Sequence, residues 1–169
     1  MNYLVVGLRL IHILGGVFWV GSSIVFGFFI TPAVAANAEA GQKIMAHLVT
    51  KSRITTLIAI SAILTVLAGA GLYAIDSQGL TSLWRSSGPG IGFGIGGIFA
   101  LIGLVFGLIV GRNSTILDNL AAEIQGKPTS EQLNKIKSAQ GQLRYAGPIS
   151  SICVILALIC MATARYWVF

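Results

Sequence analysis

Residues 8–27 read LRLIHILGGVFWVGSSIVFG, and the fold follows from this stretch. It is almost wholly apolar and has the roughly 20 residues that a membrane-crossing helix needs. It also carries a histidine well inside it. On a helix of 3.6 residues per turn, His12, Gly16, Trp19 and Ser23 fall on one face. An ionisable group is expensive to keep inside a bilayer, so His12 marks a candidate functional site.

The rest of the chain has the same character. Of its 169 residues 55% are hydrophobic and 9% charged, and the mean hydropathy is +0.85. A soluble domain carries about 25% charged residues, so this chain cannot coat a water-soluble surface. We read residues 1–169 as a single integral membrane domain with spans at about 8–31, 52–75, 90–112 and 147–167. The first is expected to end at Thr31-Pro32. The N-terminus lacks the basic region and small-residue cleavage site of a signal peptide, so the first span is expected to be retained. The expected fold is all-α: a transmembrane antiparallel four-helix bundle with a cytoplasmic helical extension.

Orientation follows from the basic residues. Lys43, Lys51 and Arg53 lie between the first two spans, and Arg112, Lys127, Lys135, Lys137 and Arg144 between the last two. Only Arg9, Arg85 and Arg165 fall on the other side. The positive-inside rule then puts both termini outside a bacterial inner (plasma) membrane. A net charge of +6 and a pI near 9.8 raise the question of nucleic acid. The charges, however, sit at the ends of apolar runs with no aromatic-interleaved patch, which suits anionic lipid and excludes that partner.

Helical signals continue beyond the lipid. Residues 38–50 are expected to run straight into the second span. Ile116, Leu117, Leu120 and Ile124 extend the third helix. Gly126-Lys127-Pro128 breaks it, and Thr129 with Gln132 forms a capping box that opens the fourth. Gly147-Pro148 is expected to kink that helix as it enters lipid. The external connection, 77–89, is short, with Trp84 as an interfacial anchor.

Gly96, Gly103, Gly107 and Gly111, with Gly92 and Ala100, form a small-residue ridge on the third span. Such ridges let helix backbones approach closely. Packing within the bundle, a homo-oligomer seam and room for a flat cofactor are all readings of it.

His12 has three readings: a neutral histidine bonded to a facing carbonyl, a haem or metal ligand, and a proton relay. Gly16 and Trp19 would make room for a macrocycle on the same face. His47 is cytoplasmic and differs from His12 in depth by roughly 20 Å or more, so the two cannot share an iron. Met161 matches His12 in depth and completes a candidate cofactor set of His12, Gly16, Trp19 and Met161, with Cys160 beside it as a thiol. Cys153 and Cys160, seven residues apart on a helix, are roughly 10.5 Å apart and cannot form a disulfide. His47, Lys51 and Arg53 make a cytoplasmic basic cluster, suited to an anionic head group, a propionate or a partner, or paired with Asp118 or Glu123.

Other patterns drop out. Gly92-x-Gly94-x-x-Gly97 lies within a span with no strand before it, so it is no dinucleotide fingerprint. Asn113-Ser114-Thr115 is a sequon on the cytoplasmic side. The spans hold no Asp or Glu, which argues against a proton- or sodium-coupled carrier, and few polar groups to line a channel.

Leu10-Ile11-His12, with Trp19 and Gly21 after it, resembles the first helix of the copper-resistance protein D superfamily, which includes HemJ-type membrane protoporphyrinogen oxidases. Ser52-Arg53, the run TVLAGAG at 65–71 and the closing Met161-Ala162-Thr163-Ala164-Arg165-Tyr166 look like its uncharacterised members. The resemblance implies b-type haem on His12. HemJ-type enzymes also use a lysine in the third helix, where residues 90–111 hold none. Two functions therefore stand open: a haem b protein of membrane redox or haem and metal handling, alone or with a membrane redox partner, and a non-catalytic packing or assembly subunit without cofactor.

Overall fold

The structure, a computed structural model, describes residues 2–168, with side chains throughout except at 35, 38, 39, 42, 46, 50 and 51. Four of its helices are long and apolar enough to cross a bilayer, and the described residues contain no strand. They are α1 (Tyr3–Val25), continued through a π-turn (Phe26–Ile30) into α2 (Thr31–Ala36), then α4 (Ile54–Asp76), α6 (Gly88–Glu123) and α7 (Ser130–Thr163). Between them lie α3 (Ala38–Ala46), a second π-turn (His47–Lys51) and the single turn α5 (Ser82–Arg85). Only 6%, 17%, 11% and 33% of the apolar windows in the four long helices are buried inside the chain. The remaining apolar surface faces outward, as it does where lipid rather than protein completes the burial. The architecture fits a multi-pass membrane protein.

The helices form a ring. The most extensive interfaces are α1 with α4 and α6 with α7, and smaller ones, α4 with α6 and α1 with α7, close it. Neighbours are antiparallel: along α6, Gly88, Gly96 and Gly103 face Trp167, Met161 and Val154 in turn. A small core of Trp19, Ala62 and Val154 lies inside.

Each of the four interfaces also carries a side chain bonded to a backbone carbonyl. His12 reaches Thr65 O (2.8 Å), Tyr73 Oη donates to Gly90 O (3.1 Å), Ser150 Oγ to Gly103 O (2.9 Å) and Ser151 Oγ to Ser23 O (3.1 Å). Helices in lipid gain little from mutual hydrophobic burial, and such bonds, at about 0.6 kcal/mol each, help hold them.

Glycines set how closely the backbones approach. A Cβ at Gly103 would lie 2.7 Å from Val154 Cγ1, and one at Gly96 3.2 Å from both Cys160 Cβ and Met161 Cε. Gly107 faces Ser150 Oγ at 3.3 Å. The ridge therefore packs within the bundle, against α7. Gly111, expected in the same seam, has nothing within 4 Å and lies outside it.

Two boundaries differ from expectation. Helix one does not stop at Thr31-Pro32, because the π-turn has already shifted the hydrogen-bond ladder. The Thr31 N–H bonds to Phe26 O, and Pro32, which has no N–H to place in the ladder, follows directly in the first turn of α2. The segment before α4 does not run straight into it: Arg53, at φ 52°, turns the chain sharply at the α4 N-terminus. Three local expectations are met. Gly126 takes φ 105°, and the Thr129/Gln132 capping box is complete. The helices of residues 88–123 and 130–163 extend well past their apolar stretches. Pro148 sits inside an unbroken α7.

Candidate functional site

His12 stands at the α1–α4 seam, half-buried, with Nδ1 2.8 Å from Thr65 O. A carbonyl can only accept, so Nδ1 carries a proton, and of the two neutral tautomers only the one with a bare Nε2 can make this bond. No described residue bonds to Nε2. The ring is seated over Gly69, where a Cβ would lie 2.7 Å from Cε1 and 2.9 Å from Nδ1. One turn earlier on α4, the buried Thr65 donates Oγ1 to Ser61 O (2.7 Å) and wedges against α1. A Cβ at Gly15 would come 2.6 Å from Thr65 Oγ1, whereas one at Gly16 would meet Thr65 Cγ2 at 3.5 Å. Two knobs thus fill two gaps: His12 rests on Gly69, and Thr65 on Gly15 and Gly16.

The residues expected to share a cofactor pocket with His12 are placed differently. Thr65 occupies the space beside Gly16, and Trp19, 3% exposed, belongs to the core with Ala62 and Val154. Neither leaves a slot. Met161 lies at the depth of His12, as the Ser23–Ser151 bond and the antiparallel register of α1 and α7 require, but its Cγ and Cε rest on Gly96 of α6. Cys160 packs against the same glycine, and Cys153 is buried. Among the described residues no group of three or more His, Cys, Asp or Glu could hold a metal ion.

Of the basic cluster, two side chains are described. His47 is exposed in the second π-turn, Arg53 is exposed at the α4 N-terminus, and the side chain of Lys51 lies outside the described residues. Arg53 forms no ion pair with Asp118 or Glu123 among the described residues. Glu131 and Lys135, at the start of α7, do form one (2.7 Å). Their hydrogen bond and opposite charge lower the Glu131 pKa and raise that of Lys135.

Sequence reasoning missed Gly15, Thr65 and Gly69. Their spacing held a signal: Thr65 and Gly69 are one turn apart on α4, a knob beside a gap that matches the histidine and paired glycines of α1.

Fold and site together define a class: a bundle of four helices long and apolar enough to cross a membrane, with one imidazole pinned between two of them. Comparison with known families, characterised proteins and solved structures gives no match.

Proposed function

We propose that this chain is a multi-pass protein of the bacterial inner membrane, both termini outside, that carries b-type haem on His12 for membrane redox or haem handling. The observation behind this reading is the bond from Nδ1 to Thr65 O. Ligating histidines usually donate their second nitrogen to a carbonyl or carboxylate, which fixes the tautomer and raises the basicity of the other. Haem would supply one-electron chemistry, and this chain's residues would hold and orient it. Of the donor set, the imidazole alone fits: Gly16 and Trp19 do not open room for the macrocycle, and Met161, level with His12, is packed on Gly96 of α6. The resemblance around His12 favours the same reading.

A second reading has its own support, the close seat of the ring on Gly69. Here His12 is an interhelical clamp in a packing or assembly subunit. One experiment separates the two. Protein purified in detergent from haem-replete cells should show a Soret band that both His12→Asn and His12→Ala abolish. His12→Asn keeps an N–H for Thr65 O and should stay folded. A folded, colourless wild type overturns haem binding and leaves the clamp. A band that survives in His12→Asn overturns the ligand assignment.

A further inference from the structure

At one end of the bundle three arginines, on α4, α6 and α7, lie at a common level. Gly103 opposite Val154 and Gly107 opposite Ser150 set the α6–α7 register, and it brings Arg112 level with Arg144. The bond from Asn113 Nδ2 to Gln142 Oε1 (3.0 Å) holds the pair of helices together there. Arg53 begins α4 at the same end, since Tyr73 bonds Gly90 at the other. All three arginines are exposed, and none makes an ion pair or side-chain hydrogen bond among the described residues. The nearest acidic residues in sequence to Arg112 and Arg144 are Asp118 and Glu131.

That level also marks the edge of an apolar band. Residues 145–164, along α7 and one residue past its end, are uncharged, a run of 20, which at 1.5 Å per residue spans about 30 Å, the thickness of a bilayer's hydrocarbon core. Beside the arginines are exposed aromatics, Phe28, Phe29 and Tyr145, of the kind that sit at head-group level. A ligand for this surface must offer an anion to the guanidinium groups and an apolar tail to the helices beneath. Soluble anions and nucleic acids have no such tail.

We propose that Arg53, Arg112 and Arg144 form a collar that binds the phosphates of anionic phospholipid head groups, each guanidinium matching a phosphate through two parallel N–H···O bonds. The full chain, in micelles doped with equal phosphatidylglycerol and phosphatidylcholine, would be analysed by native mass spectrometry for retained lipid. The wild type should favour phosphatidylglycerol by about fivefold or more, and Arg112→Gln/Arg144→Gln should bring the ratio near one. Should that double variant fail to fold, Arg53→Gln alone must lower the preference. Equal retention of the two lipids by wild type, or a preference untouched by these substitutions, overturns the collar. So does loss of the preference to inorganic phosphate at matched ionic strength, which would mean a bare anion site.

Discussion

At the scale of residues, the structure turns on which glycines are filled and which are free. Gly69→Ala drives a methyl into the His12 ring, and overpacking of this kind costs about 1–3 kcal/mol. Thermal unfolding in detergent should show a clear loss, relieved when His12→Ala is added, because the clashing group is then gone. Gly103→Ala should destabilise similarly through Val154, whereas Gly111→Ala should be neutral or gain up to about 1 kcal/mol from helix propensity. Equal effects at 103 and 111 would mean that the ridge does not pack as described. Ordinary sequence reasoning found this ridge, because small residues at intervals of four have one strong physical use in lipid. It did not find Thr65 as the partner of Gly16. Which residue fills a gap depends on rotation about two helix axes, and a single helix's spacing says nothing about its neighbour's.

At the scale of elements, caps and breaks were legible where they rest on local chemistry. The Thr129/Gln132 box and the left-handed Gly126 are both decided within four residues. Thr129→Ala should cost about 1 kcal/mol locally, read as faster amide exchange over the first turn of α7. The neighbouring pair Glu131–Lys135 lies outside the apolar band, fully exposed to solvent, and gives a pH dependence of known sign. Because the folded pKa of Glu131 is lowered, its contribution is present at neutral pH and is lost as pH falls through that value. Amide protection of this turn should therefore drop on acidification, the drop vanishing in Glu131→Gln and shrinking in high salt. The π-turn before Pro32 was not legible. A proline reads as a stop only while the hydrogen-bond ladder keeps its α register, and the shift comes from residues upstream.

At the scale of the whole molecule, composition and four apolar runs were enough to give the bundle, since a bilayer admits few alternatives to helices. The site was legible only as far as His12 itself. What the ring bonds to, and which wall closes beside it, follow from how α1 meets α4, and that is a property of the assembled pair. The division into two tightly joined couples, α1 with α4 and α6 with α7, has a consequence for biogenesis. Each couple is contiguous in sequence, and residues 77–87 are the only covalent link between them, by way of left-handed backbone at Gln78, Gly79 and Leu80. A gene split at codon 79 should therefore yield two insertable hairpins that find each other in the membrane, so that a tag on one half copurifies the other. Recovery of the tagged half alone would show that the covalent tether, rather than the lateral match of the hairpins, completes the bundle.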